Sequence, residues 1–212
     1  MPLKVLHLST FDTNGGAARA AYALHGALLR AGVDSEMWTG RKGTQDPTVR
    51  EIGAQRRRVS SLLDRQLWKL QRSPLQTWRS PALFSALTSN RINESDADVV
   101  NLHWITDGYL SIEEIGRITK PIVWSMYDMW PFCGTEHYGV DGLDSRWREG
   151  YSKANRSPLD SGVDIDQWAF KRKVENWRPN SSRFTMIPAS RWLSNATETS
   201  ALMSDWQLTQ IP

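Results

Sequence analysis

An apolar run, a glycine turn and an amphipathic helix follow one another between Lys4 and Arg30, and this unit constrains the fold most. Leu3, Val5, Leu6 and Leu8 have the length and character of a strand buried on both faces. The run gives way to a polar loop, Ser9 to Ala17, that closes on Asn14-Gly15-Gly16. A helix is expected from Ala17, because Ala17, Ala21, Leu24 and Leu28 recur every three or four residues and share one face. Gly32 stands where that helix should end, and Val33 to Thr39 reads as the next strand. Strand, glycine turn, helix, strand is the opening of a doubly wound, Rossmann-like α/β domain with a parallel sheet.

The turn has a chemical reading and a geometric one. Paired glycines let the backbone approach a ligand closely, and the new helix offers free N–H groups and partial positive charge there. A phosphate held by Gly15 and Gly16, with Arg19 adding a full charge, fits that arrangement. The alternative is that the glycines only fit a tight turn. The stretch is neither G-x-G-x-x-G nor a Walker loop, since no Lys-Ser/Thr follows.

Across 212 residues the chain is read as one large domain. Its single cysteine, Cys133, rules out an internal disulfide and fits a reducing compartment. The start lacks the long apolar region of a signal peptide, and no run approaches the ~20 residues that span a bilayer. A cytoplasmic location is therefore expected. The net charge of +3 argues against nucleic acid as a partner. Eleven tryptophans are unusual, and several stand in polar surroundings where an indole more often forms a contact surface.

Charge concentrates between Arg56 and Arg79, where seven basic residues face one acid, Asp64, with Trp68 and Trp78 interleaved. Arg56 to Arg72 reads as a helix with Val59, Leu63, Leu67 and Leu70 on one face. It either packs on the sheet with a solvated basic side or rests on an anionic membrane surface, peripherally on its inner face. Ser73-Pro74 and Ser80-Pro81 interrupt it, and a further helix is expected from Ala82 to Arg91. Ala97 to Leu102, Pro121 to Ser125 and Phe184 to Pro188 read as strands. Ser111-Ile-Glu-Glu is a capping box, with Glu114 at the third helical position. Helices are expected from about Asp166 to Trp177 and from Ser190 to about Met203. Gly139 to Asp166 is polar and too long for an ordinary connection, so it reads as a functional insertion or flap.

Ligands of open parallel sheets bind beyond the carboxyl ends of strands. His103 follows one such end and Tyr127-Asp128-Met129-Trp130 another, so one rim collects them with the glycine turn. An acid beside indoles is how polar ligands such as sugars are held, although a rigid turn capped by Asp128 is the plainer account. His7, inside the first strand, reads as a core histidine. One cysteine and four scattered histidines give no metal-ligand spacing, and no G-x-S-x-G elbow is present.

Four ordered motifs carry a resemblance that runs from Lys4 to Pro212. They are Asn14-Gly-Gly-Ala-Ala-Arg, Asn101-Leu-His-Trp-Ile, Lys120-Pro-Ile-Val-Trp-Ser-Met-Tyr-Asp-Met-Trp-Pro-Phe-Cys-Gly and Pro188-Ala-Ser-Arg-Trp-Leu. Together they resemble the amino-terminal, acceptor-side domain of bacterial family 4 glycosyltransferases, nearest the exopolysaccharide and colanic-acid branch of polysaccharide biosynthesis. The resemblance implies a retaining GT-B enzyme: two Rossmann-like domains across a cleft, a nucleotide-sugar donor, a saccharide or lipid-linked acceptor, and no metal cofactor. It implies donor phosphates near Gly15, Gly16 and Arg19, and sugar or acceptor at Tyr127 and Asp128. His103 and Trp130 would shape the acceptor pocket.

Three departures accompany the resemblance. The sequence ends at Gln210-Ile-Pro212, where the family continues into a second domain bearing most of the nucleotide pocket and paired glutamates. Tyr127 stands where the family has a histidine, and it cannot carry positive charge. The cysteines usual after Trp-Pro-Phe are missing beyond Cys133. The alternative expectation is thus an incompetent truncated copy that only binds acceptor or membrane.

Overall fold

In a computed structural model of the chain, residues 3–75, 77–140, 142 and 145–210 are described. Asp141, Leu143 and Asp144 of the polar insertion, Gln76 of the basic stretch and the terminal Ile211-Pro212 lie outside them.

The elements run β1 (Lys4–Phe11), α1 (Gly16–Arg30), β2 (Asp34–Arg41), β3 (Val49–Glu51), α2 (Ala54–Trp68), β4 (Gln71–Arg72), α3 (Ser89–Asn93) and β5 (Val99–Leu102). They continue with α4 (Ile112–Gly116), β6 (Ile122–Met126), α5 (Arg146–Glu149), β7 (Ser161–Gly162), α6 (Ile165–Trp177), β8 (Phe184–Pro188), α7 (Arg191–Glu198) and β9 (Gln207–Leu208). Seven strands form one sheet in the order β3-β2-β1-β5-β6-β8-β9, every pairing parallel. The chain winds outward one way from β1 and then the other way from β5. This is the doubly wound, Rossmann-like α/β arrangement, with its crevice between β1 and β5.

Strand alternation sorts the sheet's residues onto two unlike faces. Leu6, Leu8, Val100, Leu102, Trp124 and Met126 join the main core. Their neighbours His7, Asn101, His103, Ser125 and Tyr127 belong to the other face. Over β1 and β2 that face is covered by α1, through Ala21 packed with Met37 and Val49. The α1 stripe is rotated from the expected one: Ala18, Ala21 and His25 are buried, whereas Leu24 is exposed. His25 decides the rotation, because its ring reaches Ser35 Oγ at 2.7 Å and Thr48 Oγ1 at 2.8 Å.

Six of the eleven tryptophans are buried in the core, which corrects their reading as contact surfaces. Trp124, Trp130 and Trp177 form one cluster with ring centroids 5.3 to 6.2 Å apart.

Helix α2 is inverted relative to the sequence expectation. Its packed side is Arg57, Ser60, Ser61 and Asp64, while Val59, Leu62 and Leu63 face solvent. The surface beneath it is polar, which explains the inversion. Arg57 Nη1 donates to Asp107 at 2.6 Å, Ser61 Oγ donates to the same carboxylate, and Asp64 accepts the Leu83 N–H at 3.1 Å and the Phe84 N–H at 3.4 Å. Gly108 lies so close that a Cβ there would stand 2.4 Å from the Ser61 nitrogen, so only glycine admits the helix.

The helix expected over Ala82 to Arg91 shrinks to α3. Ala82 takes a positive φ of 45°, which ends any helix, and its carbonyl accepts the Ile112 N–H and an Arg172 guanidinium N–H. Ser111 caps α4 by accepting the Glu114 N–H at 3.3 Å. Glu114 does not complete the box, because its carboxylate accepts the Ser89 N–H instead. Ser190 caps α7 in the same way, and that helix stops at Glu198 rather than near Met203.

The described part of the insertion is tied down. Trp147 of α5 is buried, Arg146 pairs with Asp164 at 2.7 Å, and Asp164 caps α6. Among the described residues no helix is long and apolar enough to cross a membrane.

Asp64 supplies a test of this packing. Burial pushes its carboxyl up to about 6, against the pull of the two backbone N–H donors. The folded state therefore holds this proton more tightly than the unfolded chain. The resulting stabilisation is full below pH ~4 and is lost as pH rises through about 6. Asp64→Asn is expected to flatten the fall in stability between pH 4 and 6.5, by ~2 kcal/mol, read as the difference between urea midpoints. A profile parallel to the wild type's would refute the packing.

Candidate functional site

A cavity of about 610 Å³ opens at the switch point of the sheet. Ser9, Phe11, Asn14, Gly15 and Gly16 line it from the β1–α1 turn, Trp104 from the end of β5, and Tyr127 and Asp128 from the end of β6. Trp78 and Tyr138 form its outer rim.

The two glycines have different reasons to be there. Gly15 precedes α1 with φ 94° and ψ 171°, a conformation essentially closed to other residues. Gly16 begins the helix without a positive φ, and a Cβ built on it would meet nothing within 4 Å. The turn needs Gly15; packing does not require Gly16, which leaves bare backbone facing the cavity. Gly15→Ala is expected to destabilise by about 1–3 kcal/mol. Gly16→Ala should leave the melting temperature essentially unchanged, and an equal loss in both would refute the distinction.

Tyr127 ends a chain of buried rings. His7 Nδ1 lies 2.9 Å from His103 Nε2, and His103 Nδ1 lies 3.1 Å from the Tyr127 hydroxyl. His7 Nε2 is buried without a partner. An orphaned N–H is rarer in folded proteins than an orphaned lone pair, so we assign the His7 proton to Nδ1. His7 then donates to His103, and His103 donates to Tyr127. The Tyr127 hydroxyl hydrogen is then not taken by His103, and the Ser125 hydroxyl also lies against this phenol. Burial, then the neighbouring His25, pushes His7 down to about 3. Burial, then His7, puts His103 well below its ordinary value. Burial pushes the Tyr127 hydroxyl up to about 12, so it is a neutral donor.

Asp128 is already engaged. It accepts the Trp104 indole N–H at 3.1 Å, the His137 ring at 2.6 Å and the Trp130 backbone N–H at 3.0 Å. This carboxylate sets the plane of Trp104 on the cavity wall and turns the chain at Trp130. His137 in turn lies 2.9 Å from Ser80 Oγ, and its backbone N–H donates to the Trp78 carbonyl at 3.0 Å. The 78–80 and 135–137 segments thus run together and present Trp78 over the site.

The structure brings Gly15, Gly16, Tyr127 and Asp128 together and places three other candidates elsewhere. Arg19 is exposed on α1 and does not line the cavity. His103 is buried behind Tyr127 and acts on the cavity only through it. Trp130 is buried in the core, its indole N–H donating to the Ser80 carbonyl at 2.8 Å. Sequence reasoning missed Ser9, Trp104, Trp78, Tyr138 and His137. Trp104 had a signal, since it follows His103 at the end of β5. Among the described residues no group of three or more His, Cys, Asp or Glu could hold a metal ion.

Lys173, fully buried on α6, holds the loop behind the site. Its ammonium donates to the Trp130 carbonyl, to that of Cys133 at 3.0 Å and to that of Gly134 at 2.8 Å, and it lies 4.0 Å from the centre of the Trp130 ring. Burial pushes this ammonium down to about 7. Lys173→Met is expected to destabilise the fold by about 3 kcal/mol or more, because three buried carbonyls lose their donor. Thermal unfolding checks this, and a change under ~1 kcal/mol would refute it.

A larger cavity, about 770 Å³, lies beneath the insertion. Several polar and charged groups on its wall satisfy one another: Arg79 pairs with Asp166 at 2.5 Å, and the Tyr151 hydroxyl donates to Glu136 at 3.1 Å. Comparison with protein-family models, with curated proteins and with solved structures found no match to this chain.

Proposed function

We propose that the chain is the acceptor-side domain of a retaining, nucleotide-sugar-dependent glycosyltransferase that works across a cleft with a second Rossmann-like domain. The observation that carries this reading is the composition of the switch-point cavity. Bare backbone at Gly15 and Gly16, at the positive end of a 15-residue helix, shares one wall system with the Tyr127 hydroxyl and the Trp104 indole. The first pair suits a diphosphate; the second pair suits a sugar, by donation and by stacking.

In the proposed mechanism the donor diphosphate sits over the helix N-terminus, which disperses the charge that grows as the glycosidic bond breaks. The leaving phosphate oxygen takes the acceptor's hydroxyl proton on the same face, so no protein nucleophile is required. The Tyr127 hydroxyl, directed by His103, donates to an oxygen of the transferred sugar or the acceptor. Asp128 acts as a positioning residue through Trp104, His137 and the turn at Trp130.

The test joins this chain to a GT-B carboxyl-terminal domain and measures sugar transfer and donor hydrolysis with nucleotide-sugars. Tyr127→Phe is expected to lower kcat about 10- to 100-fold, equivalent to the loss of one hydrogen bond worth ~1.4–2.7 kcal/mol. Gly16→Ala should raise the donor KM by obstructing the phosphates. Neither transfer nor hydrolysis in the joined protein would overturn the reading. Tyr127→His separates a working tyrosine from a decayed copy: activity that falls supports the former, and activity that rises sharply marks the latter as an acceptor-binding module.

A further inference from the structure

The inversion of α2 leaves an unusual surface. Val59, Leu62 and Leu63 lie 57%, 59% and 44% exposed along the outward ridge of the helix, and Leu70 continues it. Arg56, Arg58, Arg65, Lys69 and Arg72 surround the ridge, all exposed. The one acid on the stretch, Asp64, is buried on the opposite side. Arg56, Arg58 and Arg72 have no carboxylate partner among the described residues, and the nearest carboxylate to Arg65 is Asp107, at 3.4 Å. Arg57 and Arg79, by contrast, are buried and paired.

Beside the ridge runs a groove of about 740 Å³, lined by Trp68, Leu75 and Trp78 together with Arg65, Lys69 and Arg72. The Arg65 guanidinium stands over the Trp78 ring at 5.8 Å. An exposed ridge of this kind leaves contiguous apolar surface in water, with exposed cations along its sides. They are stabilised together in one environment, where an apolar layer lies beneath an acidic surface.

We propose that the α2 ridge and the Trp68–Trp78 groove form a seat on an anionic lipid bilayer. The helix lies flat, with Val59, Leu62 and Leu63 entering the acyl boundary. The arginines meet phosphate headgroups, and Trp78 stands at headgroup level. At 15 residues α2 is too short to span a bilayer, which needs about 20. A bare polyanion such as RNA would engage the cations but gain nothing from the leucines, so charge and apolarity together favour the bilayer.

Trp78 gives the seat a consequence for the site. Its ring lines both the groove and the switch-point cavity. A chain seated through α2 therefore holds that cavity's rim at the headgroup level. The seat does not depend on the sugar-transfer reading.

The experiment is co-sedimentation of the full 212-residue chain with phosphatidylcholine vesicles, with or without about a third phosphatidylglycerol. Binding is expected on the anionic vesicles, about tenfold or more weaker on the neutral ones, and reduced by salt. Leu62→Ser/Leu63→Ser and Arg56→Glu/Arg58→Glu should each weaken it about tenfold or more, with melting temperatures unchanged, since all four side chains are exposed. Arg30→Glu, a charge change on α1, should leave it within about twofold. Equal binding to both vesicles, binding to neither, or full binding by the Leu62→Ser/Leu63→Ser variant would overturn the seat. No nucleotide-sugar enters the assay, so a negative result here and a negative result in sugar transfer are separate findings.

Discussion

The Lys173 ammonium is the contact on which the functional end of the molecule depends. Buried charge is costly unless it is surrounded by acceptors, and here the acceptors are carbonyls of one tight loop, Trp130 to Gly134. Asp166, two turns earlier on the same helix, accepts the Thr135 N–H at 3.3 Å. Helix α6 therefore holds the 130–135 segment from end to end. Everything that shapes the outer site hangs from this loop. Asp128 precedes it, Trp130 opens it, and Glu136 and His137 follow it into the pairing that carries Trp78.

The inner site has a different origin, in the twofold periodicity of parallel strands. Each central strand sends its aliphatic and indole side chains into one core, and the intervening residues meet on the opposite face. Toward the carboxyl ends of β1, β5 and β6 those residues are polar, and His7, His103 and Tyr127 step from strand to strand toward the crevice. A face that would ordinarily be aliphatic instead forms a hydrogen-bonded support behind one hydroxyl. Val99, Val123, Thr185 and Ile187, farther from α1 on this face, are only half-buried.

Much of this order was legible in the sequence, and the failures have particular causes. The apolar runs, Gly15-Gly16 and the caps at Ser111 and Ser190 are local signals, and the strands and helix starts follow from them. The convergence of the glycine turn with Tyr127 and Asp128 was also readable, because parallel strands end on one rim. Helix α2 misled because its leucines form a regular stripe, whereas the surface available to it, Asp107 and the 83–84 backbone, rewards polar groups. Trp78 and His137 are invisible as a pair: 59 residues of chain separate them, and only the folded loop joins them. Trp130 looked like a binding indole because the neighbours that bury it, Lys173 and Trp177, come more than forty residues later.

A histidine next to a ligand pocket is ordinarily where acidity enters the chemistry, since an imidazole's charge changes between about pH 5 and 8. The pair behind Tyr127 is shifted out of that range: burial pushes His7 down to about 3, and burial likewise puts His103 well below its ordinary value. The polarity of the relay, and with it the orientation of the phenol, is consequently indifferent to swings in cellular acidity.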